Sequence, residues 1–310
     1  MLELLQALLS STLEYAPALV FGALGATLSE RAGVVNVGVE GMMRAGAFVA
    51  AVAALAMPTA LGVFGGMSAG VALAAVHGWL SIRWRADQVI SGMALNLVAL
   101  AGVTFLLESF FGPSSSPPIS QLVRWRIPLM EHLPVLRALS GHTALTWLSI
   151  ALAVAFHVFL WRTPWGLRIR AVGEKPAAAA TLGVRVRGLR YGCVLGSGAL
   201  CGLGGAALST ATLDRFEHNM PAGLGFMAVA AMVFGRWTPL GALGAAAFFA
   251  FGNALRIGLA SSAPAVLEIV PQGVLLALPY ALTLAVLSIQ GGRIRAPGAL
   301  GRPWEPESRG

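Results

Sequence analysis

The chain has 310 residues, 57% of them hydrophobic and only 11% charged, with 21 lysines and arginines against 13 acids for a net charge of +8. A typical soluble domain carries about 25% charged residues, so the composition excludes a soluble protein and describes a chain built for a membrane. Nucleic-acid binding is excluded as well, because the basic residues sit in short loops between apolar runs and not on a folded face of their own.

A hydrocarbon core of about 30 Å takes roughly 20 helical residues per crossing, which leaves room for nine or ten spans and no sizeable soluble domain. No cleavable signal peptide is evident, since Met1 to Leu9 lacks a basic start. Residues 1–10 read as an interfacial turn or as the lead-in to span 1, at about 12–28. The charged hinge Ser29-Glu30-Arg31 separates it from span 2, about 34–57. Span 3, about 60–82, ends at Arg83-Trp84-Arg85-Ala86-Asp87, and span 4 covers about 89–111.

Residues 112–142 form the longest loop on the outer face; its Pro-Ser-Ser-Ser-Pro-Pro opening cannot be helix. Span 5, about 144–161, leads into a basic segment at 163–190, and span 6, about 189–212, leaves it. A loop at 214–222 precedes an apolar element of about twelve residues, 223–234. At 1.5 Å per residue it covers about 18 Å, so it crosses tilted or dips in and out, buried in protein. Spans 8 and 9 (about 240–257 and 268–289) complete an all-α polytopic membrane protein of about nine transmembrane helices. Residues 1–290 read as one membrane domain, and 291–310 as a cytoplasmic tail whose basic, proline-bearing composition predicts loose order.

With the N-terminus outside, Arg31, Arg83, Arg85, Arg162, the arginines of 163–190, Arg236 and those of the tail all fall inside, as the positive-inside rule demands. The C-terminus is then cytoplasmic. The inverted topology breaks the rule.

Glycine marks packing. In span 6, Gly188, Gly192 and Gly196 recur every fourth residue, and Gly198 and Gly202 continue the series. Such a stripe lets another backbone approach, as a fixed interface or a sliding one. Cys193 and Cys201 lie eight apart on the same helix and read as packing residues, and the five histidines make no metal-ligand spacing.

Charged or amide side chains in hydrocarbon are costly, which makes them candidates for the solute pathway. Asn36 and Glu40 lie one helical turn apart on span 2, with Met43 below them, and Gly38 and Gly41 weaken the helix there enough to present its backbone. Glu40 also stands four residues before Arg44, and an internal ion pair accounts for both without a solute. Gln88, Ser91 and Asn96 share a face of span 4 with the adaptable Met93. Asn253 and Gln272 add amides that both donate and accept, and Phe226 offers a stacking surface. Each amide alone is more often a helix-to-helix hydrogen bond.

The segment at 163–190, TPWGLRIRAVGEKPAAAATLGVRVRGLR, has a grammar of its own. Pro164 and Gly166 stop the preceding run; Arg168 and Arg170 precede a break at Gly173-Glu174-Lys175-Pro176. Alanines then make a helix of under two turns that Gly183 closes. A helix that short cannot hold itself in water and must be docked against something. A merely solvated cytoplasmic loop is the bland alternative.

Taken with SERAGVVNVGVEGMM at 29–43, ADQVISGMALNL at 86–97 and FMAVAAMVFGRWTPLGALGA at 226–245, this segment resembles the membrane permease subunits of bacterial ABC importers, in the nucleoside-type branch of the sugar and branched-chain amino acid permease family. The resemblance runs from about 12 to 300. It implies that 166–183 is the coupling helix seated in a cleft of an ATPase subunit, with Arg168, Arg170, Gly173, Glu174, Lys175, Ala178 and Gly183 in that contact. It further implies a multi-pass protein of the bacterial inner membrane, a second and non-identical permease, an external lipid-anchored binding protein, and no cofactor on this chain, ATP and magnesium being held by the partner. The chain has no GxxxxGK[ST] phosphate loop of its own. A stand-alone secondary transporter or channel is the alternative, and the solute's identity is not written in these motifs.

Overall fold

Helix α1 (Leu2–Arg31) runs unbroken for 30 residues and takes in the leucine-rich lead-in. The computed structural model of the protein describes residues 2–126, 136–262 and 295–305. Within them follow α2 (Val39–Ala56), α3 (Thr59–Gly78, prolonged by a π-turn at Trp79–Arg83), α4 (Gln88–Phe111) and α5 (Ala144–Arg162). Next come α6 (Pro164–Glu174), α7 (Pro176–Thr181), α8 (Val186–Ala207, prolonged by a π-turn at Leu208–Thr212), α9 (Leu224–Phe234) and α10 (Pro239–Ser262). The sole sheet among the described residues pairs β1 (Arg124–Trp125) antiparallel with β2 (His142–Thr143).

Among the described residues six helices are long and apolar enough to cross a membrane: Leu5–Arg31, Val39–Ala56, Thr59–Arg83, Gln88–Phe111, Ala144–Arg162 and Val186–Thr212. They fall on the first six expected spans. The short apolar element is α9, of 11 residues, and α10 extends the eighth span to Ser262. The ninth span and Gln272 lie outside the described residues.

α1 is the spine. It packs on α8, α9 and α10, while α2 and α3 pack on each other and on α8. Phe21, Leu24, Met42, Met43, Leu107 and Met232 are fully buried between them. The backbones of α2, α3 and α8 meet where Gly46, Gly66, Gly70, Gly198 and Gly202 converge; a Cβ at Gly198 or Gly202 would strike the carbonyl oxygen of Gly70 or Gly66. The stripe read from the sequence therefore divides. Gly198 and Gly202 make the close contact, whereas Gly188 and Gly192 face open space and no backbone reaches them.

Residues 114–119 run beside 214–218, with Ile119 N–H on the Asp214 carbonyl at 2.7 Å and Ser116 N–H on that of Phe216 at 2.9 Å. Arg215 donates to both carboxylate oxygens of Asp214 and holds that carboxyl below its usual range. Arg124 reaches Glu14 at 2.6 Å and ties the segment after α4 to α1.

Residues 295–305 differ from the expectation of a loose tail. They lie along the Arg31 end of the bundle and are bonded to it, Ala299 N–H reaching the Gly173 carbonyl at 2.8 Å. Basic, proline-bearing composition measures apolar burial, and this segment is held mainly through its backbone amides, which composition does not report.

Candidate functional site

Between α1 and α2 the backbone leaves helical geometry for residues 32–38 and climbs into the bundle. Non-helical backbone at that depth persists only where protein satisfies its polar groups, and here side chains of three helices, with Asn36 of the stretch itself, do so. Ser29 Oγ donates to the Val34 carbonyl at 2.8 Å. Val35 N–H donates to Gln88 Oε1 at 2.7 Å, and the Val35 carbonyl accepts from His77 Nε2 at 2.9 Å. Asn96 Nδ2 donates to the Val37 carbonyl at 3.0 Å while its Oδ1 accepts from Gly41 N–H at 2.8 Å. Asn36 caps Gly38 N–H at 3.1 Å and donates to Ser197 Oγ on α8 at 2.9 Å.

A carbonyl can only accept, so His77 Nε2 carries the proton and Nδ1 is left to accept from Ser91 Oγ at 3.0 Å. His77, Asn36, Gln88, Ser91 and Asn96 are all buried. The expected polar face of span 4 thus comes together, with Asn36, around a stretch of backbone. Span 2 begins at Val39 and not at 34, so Asn36 stands before the helix; Gly38 ends the irregular stretch. One polar atom in this cage, Gln88 Nε2, is buried with no hydrogen-bond partner among the described residues.

Glu40, in the first turn of α2, turns its carboxylate away from Arg44. Its Oε1 accepts from Gly223 N–H at 2.9 Å and its Oε2 from Gly225 N–H at 2.7 Å, which caps the N-terminus of α9. A carboxylate at a helix N-terminus satisfies amides that have no intrahelical partner and opposes the helix dipole. Gly223 adopts φ +90, the left-handed turn that a residue with a Cβ resists, and Gly225 lets α9 lie against the α2 backbone: an added Cβ would come within 2.5 Å of Glu40 Cα. The Glu40–Arg44 ion pair suggested by their spacing is absent, since Arg44 donates to the His218 carbonyl instead at 3.2 Å.

α9 therefore starts inside the bundle at Glu40 and ends at the Arg31 end of α1. There Arg31 Nε donates to the Trp237 carbonyl at 2.6 Å and Nη2 to the Arg236 carbonyl at 3.1 Å, while Trp237 Nε1 donates to Glu30 Oε2 at 2.6 Å. Arg236 and Trp237 both hold positive φ (54 and 53), a strained pair that this clasp keeps in place.

The remaining candidates scatter. Met43 is fully buried in the core. Met93 and Phe226 are exposed on α4 and α9, and Asn253 accepts from Arg256 of its own helix at 3.2 and 3.0 Å. The exposed face of α4 also carries Ile90, Leu97, Val98, Phe105 and Phe110, uncovered by the described chain.

In the basic segment Pro164 does not merely end α5; it opens α6, with Thr163 Oγ1 capping Gly166 N–H at 3.1 Å. The break falls at Lys175 and leaves Gly173 and Glu174 helical. Pro176 starts α7, which closes as Gly183 (φ +80) donates to the Ala180 carbonyl at 2.9 Å. Arg168, Glu174, Lys175, Ala178 and Gly183 lie on an exposed face together with Trp165, Leu167 and Leu182, the last 85% exposed. The opposite side is docked. Gly173 abuts the Arg31 carbonyl so closely that a Cβ has no room. Two guanidinia approach the Trp161 ring, Arg31 at 5.2 Å and Arg170 at 5.4 Å from its centre. Arg170 Nε also donates to the Leu160 carbonyl at 3.0 Å. Beside α7 a cleft of about 750 Å³ opens between α5, α6 and α8, floored by Gly188 and Gly192 and flanked by Phe156, Phe159, Trp165 and Leu182.

Glu30, Arg31, His77, Ser197 and Trp237 were not singled out from the sequence. The signal was present for three of them, because Glu30-Arg31 and the Arg236-Trp237 turn sit at the ends of apolar runs where a charge calls for a partner; for His77 and Ser197 there was none.

A family model for the permease component of branched-chain amino acid transport systems matches residues 8–285. The guanosine ABC transporter permease protein NupQ of Bacillus subtilis is 40% identical over 97% of both chains. The nucleoside ABC transporter permease protein NupC of Lactococcus lactis subsp. cremoris is 37% identical over 96% of both. A second permease of that Lactococcus, the nucleoside ABC transporter permease protein NupB, is 24% identical over 96% of this chain and 86% of its own. With full-length similarity to ABC permeases and a bundle of apolar helices to match, the chain belongs to the permease-component family of the branched-chain amino acid transport systems.

Proposed function

We propose that the chain is the translocating subunit of an ATP-driven ABC importer for nucleosides or a small polar solute of like chemistry. The observation that carries this reading is full-length similarity at 37–40% to two permeases named for guanosine and nucleoside transport. The chain forms the membrane pathway and performs no covalent chemistry; ATP and magnesium belong to a separate ATPase. In this reading one membrane domain, residues 1–290, crosses nine times from an outer N-terminus to a cytoplasmic C-terminus, with 112–142 outside and 163–190 inside.

The presence of two related nucleoside permeases in one Lactococcus supports pairing with a second, non-identical chain. An external lipid-anchored binding protein delivers the solute.

In the mechanism we infer, ATP binding draws two ATPase domains together, and the exposed face formed by Arg168, Glu174, Lys175, Ala178 and Gly183 follows them, with Arg170 and Gly173 behind it on the docked side. The docked side of α6 hands that movement to the end of α1 through Gly173 and the Arg31–Trp161–Arg170 contacts. The stretch 32–38, joined to α1 and carrying Asn36, shifts within its cage of Ser29, His77, Gln88 and Asn96, with Ser91 holding His77. Glu40 couples that shift to α9, whose exposed Phe226 presents an aromatic surface to a base.

The test is co-purification and uptake. Tagged protein brings down an ATPase, and uptake of labelled guanosine by cells stops when that ATPase loses its catalytic carboxylate. Uptake by this chain alone in liposomes contradicts the reading and favours a secondary carrier.

A further inference from the structure

Residues 295–305 form a strap across the Arg31 end of the bundle, and its bonds are distributed in a particular way. Gly298 N–H donates to Glu174 Oε2 at 3.0 Å and Ala299 N–H to the Gly173 carbonyl at 2.8 Å, which fixes the strap to the last turn of α6. Two residues later Gly301 N–H donates to the Gly33 carbonyl at 3.3 Å, at the start of the broken α1–α2 connection. Arg190 of α8 donates to the Arg302 carbonyl at 3.0 Å. Trp304 packs on Val172, Ala179 and Val186, bridging α6, α7 and α8, and Glu305 pairs with Arg85 beyond α3.

The strap is stiff where it matters. Leu300 N–H bonds to the Pro297 carbonyl at 3.0 Å and Arg302 N–H to that of Ala299 at 3.2 Å, so consecutive turns hold the short run between the α6 anchor and the Gly33 anchor. A loose cover over a helix end needs none of this. A tie between two elements needs anchors on both and a span that does not stretch.

We propose that this strap is a transmission element: it couples movement of α6 and α7 to the α1–α2 connection, in parallel with the direct contact of α6 on α1. A second observation at the same junction agrees. Arg190 is buried beside Gly33, yet its Nε and Nη2 have no hydrogen-bond partner among the described residues. Buried guanidinium donors without acceptors are costly, and a junction that keeps them unpaired in one arrangement has donors ready for the carbonyls of another. The proposal rests on the reading of α6–α7 as the segment the ATPase engages.

The test uses the assembled importer, purified with its ATPase and reconstituted in liposomes, with labelled guanosine as the probe. Two variants are compared with the parent chain: truncation after residue 294, and Ala299→Pro, which removes the N–H bonded to Gly173 and disturbs the turn. The expected result is that the ATPase still co-purifies and ATP hydrolysis stays within about twofold, while uptake per ATP hydrolysed falls at least tenfold. Unchanged uptake per ATP overturns the proposal, and so does loss of the ATPase from the complex, which makes the strap an assembly contact. Cross-linking of Ala178→Cys to the ATPase reads the underlying assignment separately. A cross-link together with coupled uptake in the strap variants removes the strap proposal alone; an absent cross-link removes the assignment beneath it.

Discussion

Glu40 and Gly225 join two helix N-termini inside the bundle. The carboxylate in the first turn of α2 accepts the second amide of α9 at 2.7 Å, and no side chain stands between the two backbones. One acid thus serves two positive helix ends, which explains a charge in an apolar setting without invoking a counter-ion.

Removing that acid strands the Gly223 and Gly225 amides. Glu40→Ala is expected to cost about 1–3 kcal/mol for each buried amide left unsatisfied. Thermal unfolding in detergent checks it: Glu40→Ala lowers the melting temperature, and Glu40→Gln, which keeps one acceptor, lowers it less. Unchanged stability in Glu40→Ala contradicts the capping role.

The Trp237–Glu30 bond gives a coupled prediction. Trp237→Phe leaves the buried Glu30 carboxylate without its indole donor, and Glu30→Gln weakens the same bond from the other side. Each single change destabilises by roughly 1–3 kcal/mol, and the double variant by less than their sum, because both remove one interaction. Additive losses mean that the two residues act independently.

The divided glycine stripe predicts opposite outcomes from one substitution. Gly202→Ala drives a methyl into the Gly66 carbonyl and is expected to reduce folded protein severely, while Gly192→Ala meets nothing and is expected to be neutral within about 0.5 kcal/mol. Yield and melting temperature of the two variants decide it. Equal effects contradict the assignment of the close contact to the 198–202 part of α8.

Gly173→Val forces α6 off the Arg31 carbonyl while leaving every apolar span intact. The expected phenotype is normal membrane insertion with guanosine uptake reduced at least tenfold. Uptake at the parent rate shows that the α6–α1 contact transmits nothing.

What the residues disclosed beforehand follows a physical line. The six spans from Leu5 to Thr212 were legible because hydrocarbon thickness imposes a length and a composition, and the short helix after Pro176 because Pro176 and Gly183 sit where proline and glycine begin and end helices, whereas α6 was hidden behind a Pro164 and Gly166 that read as stops. The unwinding before Val39 was legible in Gly38 but not in extent, because it depends on Gln88, His77, Asn96 and Ser197 arriving from three other helices. Glu40 was legible as costly, and its spacing from Arg44 pointed to the wrong partner; the true partners are backbone amides almost two hundred residues away. The strap was illegible because amides of Gly298, Ala299 and Gly301 make its contacts, and any residue other than proline supplies an amide.

The account stands on the exposed face of α6 and α7 being a cytoplasmic handle, and a cysteine at Ala178 tests that most directly. In intact cells the account predicts that this cysteine stays unlabelled by a membrane-impermeant maleimide, and that in inside-out vesicles it cross-links to the ATPase subunit. Labelling of position 178 from outside intact cells contradicts it.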